Sequence, residues 1–179
     1  ANTLRELLRR NKTITRLFMG RNTFGNNDTA VRCIADGFRI NTTLQRLDLF
    51  SCALDDQGFS ILAESLGQRR RSLVNLDLSV NHVTCSGLRA LADNAAAALS
   101  TLAHLTLSNN PVLDEGATSL AETLRLQTLP SLMGLRLINF LISDDGLAAL
   151  VSALQENETL ETVELERNAF SVQAYLALA

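Results

Sequence analysis

Leu73-Val74-Asn75-Leu76-Asp77-Leu78-Ser79-Val80-Asn81 decides the fold of this chain. Leu76 and Leu78 alternate with Asn75, Asp77 and Ser79, a period of two that marks a short half-buried strand with its leucines inward. The phrase has the form LxxLxLxxN and it recurs. It reads ITRLFMGRN from Ile14, LQRLDLFSC from Leu44, LAHLTLSNN from Leu102, LMGLRLINF from Leu132 and LETVELERN from Leu160, with starts separated by 30, 29, 29, 30 and 28 residues. Self-similarity at such a period means a solenoid, in which each unit buries its apolar face against its neighbours.

The second half of each unit changes period. In GLAALVSALQEN, Leu147, Leu150, Val151 and Leu154 fall at helical spacing and make an amphipathic helix. Asp144 and Asp145, Asp55 and Asp56, and Asp114 and Glu115 stand where a helix start favours negative charge. One strand and one helix per unit, all strands parallel, predict a right-handed curved α/β solenoid of about six repeats, its concave sheet backed by outer helices. The expected organisation is a single domain over 1–179, with a partial repeat at 1–13 and repeats starting at 14, 44, 73, 102, 132 and 160. The opening LRELLRRNKT reads as the end of a preceding helix and YLALA as the start of another, so the chain is expected to be part of a longer protein.

The wording of the repeat resembles the ribonuclease-inhibitor-like class of leucine-rich repeats. The shared words are LxxLxLxxN, an apolar residue, Gly, LAxxL and then Asn-x-Thr. They stand as Gly58 with ILAESL, Gly87 with ALADNA, Gly116 with SLAETL and Gly146 with ALVSAL. The class includes ribonuclease inhibitor, NOD-like receptors, the Ran GTPase-activating protein, tropomodulin and CARMIL proteins. It implies fold more than function. It also implies a ladder in which an Asn or Cys side chain bonds the backbone of the turn, at Asn22, Cys52, Asn81, Asn110 and Asn168. Phe140 holds that position in the fifth repeat and cannot make the bond, which predicts a distorted turn. GNNDT after Phe24 predicts a longer loop in the first repeat.

Composition narrows the function. Hydrophobic residues make up 46% of the chain, aromatics only 4%, and there is no tryptophan, so leucine must fill the core. No apolar run reaches the roughly 18 residues needed to cross a bilayer, so membrane insertion is not expected. The three cysteines, Cys33, Cys52 and Cys85, show no paired spacing, and an intracellular, cytoplasmic setting is expected. Residues 1–72 hold twelve Lys/Arg and seven Asp/Glu, whereas residues 73–179 hold four and twelve. That polarity can steer a bipolar partner or favour head-to-tail self-association.

Several motifs read more simply as structure than as sites. Asn11-Lys-Thr, Asn41-Thr-Thr and Asn157-Glu-Thr match glycosylation acceptors, but share one register and read better as the turn leading into each strand, where Asn tolerates a left-handed conformation. Asn27-Asp-Thr lies in the irregular loop. His82 and Cys85 lack the further ligands a metal needs, so no metal and no cofactor is expected. Arg69, Arg70 and Arg71 read as a helix C-terminal cluster, and without interleaved aromatics no nucleic-acid partner is expected. With no phosphate loop and no nucleophile or metalloprotease signature, the chain is not expected to be an enzyme.

The strand face is the surface expected to bind. Positions three, five, seven and eight of each phrase should project from it, among them Arg16, Phe18, Arg21, Arg46, Asp48, Phe50, Asp77, His104, Arg136, Ile138, Glu164 and Glu166. Phe18 and Phe50 stand out, because outward aromatics beside arginines have the composition of an interaction hot spot. The expected function is a non-catalytic module binding a protein partner there, in a scaffold or regulatory role. GTPase activation, innate sensing, actin regulation and self-assembly remain as alternatives.

Overall fold

The computed structural model describes residues 2–67, 73–95 and 100–177. Arg69, Arg70 and Arg71 lie outside the described residues. Among the described residues six three-residue strands run in chain order through one sheet: β1 (Arg16–Phe18), β2 (Arg46–Asp48), β3 (Asn75–Asp77), β4 (His104–Thr106), β5 (Gly134–Arg136) and β6 (Thr162–Glu164). Each pairs in parallel with the next, and Leu17, Leu47, Leu76, Leu105, Leu135 and Val163 share one register row.

Among the described residues seven helices alternate with the strands: α1 (Asn2–Arg10), α2 (Asp28–Ile40), α3 (Asp56–Gly67), α4 (Cys85–Ala95), α5 (Leu113–Arg125), α6 (Asp144–Leu154) and α7 (Val172–Ala177). Neighbouring strands sit about 4.8 Å apart and packed helices about 8–10 Å. A strand row tied to a helix row must therefore curve, with the sheet inside. Leucine fills the space between the layers, as Leu47, Leu49, Leu54, Leu62 and Leu66 in the second repeat and Leu132, Leu135, Leu137, Leu147 and Leu150 in the fifth.

The strands are shorter than the alternation of the phrase implies. The eighth position of every phrase is left-handed, with φ of 63° at Arg21, 53° at Ser51, 57° at Val80, 56° at Asn109, 51° at Asn139 and 60° at Arg167. The chain leaves the sheet there and turns toward the helix layer. Ser79 and Ser108 at the seventh position are buried rather than projecting, as is Gly134 at the third. The Ser108 hydroxyl instead accepts from the Ile138 amide at 3.1 Å.

The Asn-x-Thr turns form without a left-handed residue. Asn41 has φ −70° and ψ 128°, and neither Asn11 nor Asn157 has positive φ. The side chain does the work: Asn41 Oδ1 accepts from the amides of Thr43 at 3.0 Å and Leu44 at 2.8 Å, and Asn11 and Asn157 do the same two and three residues on. Asn41 Nδ2 also donates to Leu8 O, burying the amide. Asn27 accepts from Ala30 N as the N-cap of α2. That helix starts 14 residues after Ile14, against 12 for α3 after Leu44, which is the extra length of the first loop.

Candidate functional site

The strand face begins with two interlocked cation–π contacts. The Arg46 guanidinium lies over the Phe18 ring at 5.4 Å, and that of Arg21 over the Phe50 ring at 5.7 Å. Each contact joins the first repeat to the second. Phe18 remains 59% exposed, so the arginine covers part of one ring face and leaves the rest to solvent. Arg16 and Arg46 are register partners on adjacent strands, both exposed. Neither is paired with a carboxylate among the described residues. Asp48 is half-buried, and its Oδ1 accepts from the Phe50 amide at 3.0 Å.

The middle of the face is shallow and polar. Asp77 Oδ1 accepts from the Ser79 amide at 2.9 Å and also from its hydroxyl. His104 is exposed and leans over Gly134, where a Cβ would lie 2.6 Å from His104 Nδ1. His104 thus fills the space beside Gly134, and a groove lined by Arg46, Asn75, Asp77, His104, Arg136 and Glu164 runs across the middle of the face.

At the far end the charges satisfy one another. Arg136 Nε and Nη2 donate to the two carboxylate oxygens of Glu164, each at 2.6 Å, a bidentate geometry. This hydrogen bonding holds the Glu164 carboxyl below the usual carboxylate range and raises Arg136. Ile138 is half-buried, while Glu166 and Arg167 are exposed beside it. The basic-to-acidic gradient of the sequence is therefore not reproduced on this face: its first two repeats are positive and its last two nearly balanced.

Beneath the face the ladder residues bond backbone. Asn81 Nδ2 donates to Leu49 O and Leu78 O, and its Oδ1 accepts from Cys52 N and Leu54 N at 3.0 Å each. Asn110 donates to Leu78 O and Leu107 O and accepts from Val83 N. Asn168 donates to Leu137 O and Leu165 O and accepts from Phe140 N. Asn22 donates to Met19 O. Cys52 Sγ donates to Met19 O at 3.2 Å, and burial pushes its thiol up, which keeps the proton that bond needs. Phe140 points into the core and is fully buried. Without an amide there, Val112 N turns back to Asn110 O at 2.9 Å and Leu113 takes φ of 62°. The left-handed conformation of Leu141 is shared with Ala53 of the second repeat, where the ladder is intact.

A second inter-repeat ladder was missed at the level of sequence. Asp56 accepts from the amide and hydroxyl of Thr84 and from Gly87 N. Asp114 does the same with Ser143 and Gly146, and Asp144 takes the amide and hydroxyl of Ser171. The acids thus cap the next repeat's helix as well as standing in the first turn of their own. The legible signal was an Asp twelve residues into one repeat and a Ser or Thr eleven residues into the next. Cys85 replaces that Asp in the third repeat, and α5 begins without a side-chain cap.

Among the described residues no group of three or more His, Cys, Asp or Glu is arranged to hold a metal, and no helix is long and apolar enough to cross a membrane. His82 and His104 lie in different repeats, and the free thiols Cys33 and Cys85 contact Asn2 and Glu115 respectively.

A leucine-rich repeat family model matches residues 41–63 and 98–121. No curated protein matches the sequence. Among solved structures, the chain is similar to leiomodin-1 actin-binding site 2, with a TM-score of 0.68 and 18% identity over 87% of each chain. It is also similar to the C-terminal domain of tropomodulin from Caenorhabditis elegans, with a TM-score of 0.66 and 15% identity over 87% of this chain and 91% of that one. At these identities the likeness establishes the fold.

Proposed function

We propose that this leucine-rich repeat solenoid of the ribonuclease-inhibitor-like class is a non-catalytic module, 1–179 acting as one domain, that binds a protein partner on its strand face. The observation that carries the reading is the aromatic–arginine cluster at the start of the face, where Phe18 is exposed and Phe50, expected to project as fully, is half-buried, each beneath an arginine of the neighbouring repeat. An exposed aromatic contributes nothing to a core, whereas an aromatic–arginine cluster is the usual centre of a binding hot spot. Asp48, Asp77, His104, Arg136, Ile138, Glu164 and Glu166 form the rim, which governs approach and selectivity more than affinity. The free thiols suit a reducing intracellular compartment.

The test is affinity capture from lysate with the wild-type chain beside a Phe18→Asp/Phe50→Asp variant whose circular dichroism is unchanged. A protein retained by the wild type and lost by the variant supports the reading. Identical captures sink it.

A second reading, actin regulation, rests on the fact that leiomodin-1 actin-binding site 2 matches over 87% of this chain. Co-sedimentation with filamentous actin and the rate of polymerisation of labelled monomer test it directly. No effect on either at tens of micromolar protein removes it.

A further inference from the structure

The placement of charge on the strand face says what kind of partner fits it. Three arginines, Arg16, Arg21 and Arg46, surround Phe18 and Phe50, and the described residues supply none of them with a carboxylate. Arg16 and Arg46 are register partners on adjacent strands, so one carboxylate seated between the strands can meet both guanidinium groups. The contrast with the other end is internal to the molecule. There Arg136 stands in the same sheet, and its register partner Glu164 neutralises it bidentately. The nearby Asp48 is engaged with the Phe50 amide and does not replace such a partner.

We infer that the strand face recognises an acidic protein segment, seated over the first two repeats with a carboxylate between Arg16 and Arg46 and an adjacent apolar side chain against Phe18 and Phe50. This rests on the strand-face reading above and specifies it. The aromatic floor distinguishes the site from a simple anion patch, because the rings offer an apolar contact that sulfate or free phosphate cannot use. A second copy of the chain is the competing source of the anion: Glu164 is committed to Arg136, but Glu158 and Glu161 near it are exposed, so self-association is one outcome the test separates.

The test is an amide-shift titration of the chain with four probes. One is an acidic dodecapeptide carrying two leucines between glutamates; the others are its lysine counterpart, sodium sulfate and a thymidine oligonucleotide. The acidic peptide should shift residues 16–21 and 46–51, and Arg16→Glu/Arg46→Glu should weaken it about tenfold or more. Raising salt from 50 to 200 mM should weaken it further. The neutral Arg16→Gln/Arg46→Gln variant, with its fold checked by the same spectra, should fall between.

Sulfate alone producing the same shifts at similar concentration overturns the inference in favour of an anion patch. Equal binding of a thymidine oligonucleotide overturns it in favour of nucleic acid, and shifts that grow with protein concentration alone point to self-association. Acidic-peptide shifts confined to repeats three to six, or lysine-peptide binding there, overturn the inference and leave the strand-face reading standing. Shifts confined to the helices, or no binding by either peptide, remove the inference. In those cases the capture experiment with the phenylalanine variant decides the strand-face reading separately.

Discussion

Asp114 and Ser143 are bound across a repeat boundary by two parallel hydrogen bonds: Asp114 Oδ1 accepts from the Ser143 amide and Oδ2 from its hydroxyl, both at 2.7 Å. The same carboxylate takes Gly146 N at 3.1 Å, so one side chain completes the first turn of the following helix. Asp114→Ala should cost roughly 1–2 kcal/mol, the range for loss of a charged cap. It should speed hydrogen exchange at Ser143 and Gly146 while leaving Gly87 unchanged. An equal effect at all three amides would mean global destabilisation rather than loss of a local cap.

Phe140 invites a consensus repair that should fail. Restoring the ladder asparagine by Phe140→Asn would remove a fully buried ring and place an amide in the space it fills. Truncating a buried Phe costs about 3–5 kcal/mol, whereas a recovered ladder bond returns about 1 kcal/mol. The variant should therefore be markedly less stable in urea melts. A gain in stability would show that the turn, not the core, limits the fifth repeat.

The Arg136–Glu164 pair makes a prediction in pH. Glu164 is held below its ordinary range by the hydrogen bonds from Arg136, so its contribution is present above the unfolded carboxylate pKa and is lost as pH falls through the lower folded value. Arg136→Ala should raise the Glu164 pKa toward ordinary, as read from its side-chain carbon resonance. Both side chains are well exposed, at 50% and 36%, so the effect on stability should be small. An unmoved Glu164 titration would show that the pair does not persist in solution.

Gly25 packs directly against the backbone of the second repeat. A Cβ there would meet the Leu54 amide nitrogen and would lie 2.6 Å from both Ala53 C and Cys52 O, all backbone atoms that cannot step aside. Gly25 N also donates to Cys52 O at 2.8 Å. Gly25→Ala should destabilise the chain by about 2 kcal/mol or more, measured as a lower thermal midpoint. An unchanged midpoint would show that the first loop is free to move away from the second repeat.

The solenoid was readable because its determinants are local and recur: leucines at a period of two, then at helical spacing, about every 29 residues. The ladder positions could be named because each is fixed by its offset within the phrase. What could not be read is where two repeats meet. The phrase around Asp114 taken alone does not say that its carboxylate serves Ser143 as well as its own helix; only the offset of a Ser or Thr in the following repeat does. The pairing of Arg136 with Glu164 likewise follows from sheet register, which sets residues 28 apart side by side. Alternation does not carry to Ser79 and Ser108, because β3 and β4 end two residues earlier, at Asp77 and Thr106, and the chain is already approaching its left-handed turn.

Each inter-repeat cap is also directional. Asp56, Asp114 and Asp144 lie 27–32 residues before the groups they bind, and none of these three reaches backward to an earlier repeat. During synthesis the N-terminal part of a chain emerges first. The acceptor carboxylate is then in place before the amides it will hold, so every such repeat is made onto a waiting template. A circularly permuted chain that reversed this order at one boundary would retain the same contacts yet have to find that one without the head start.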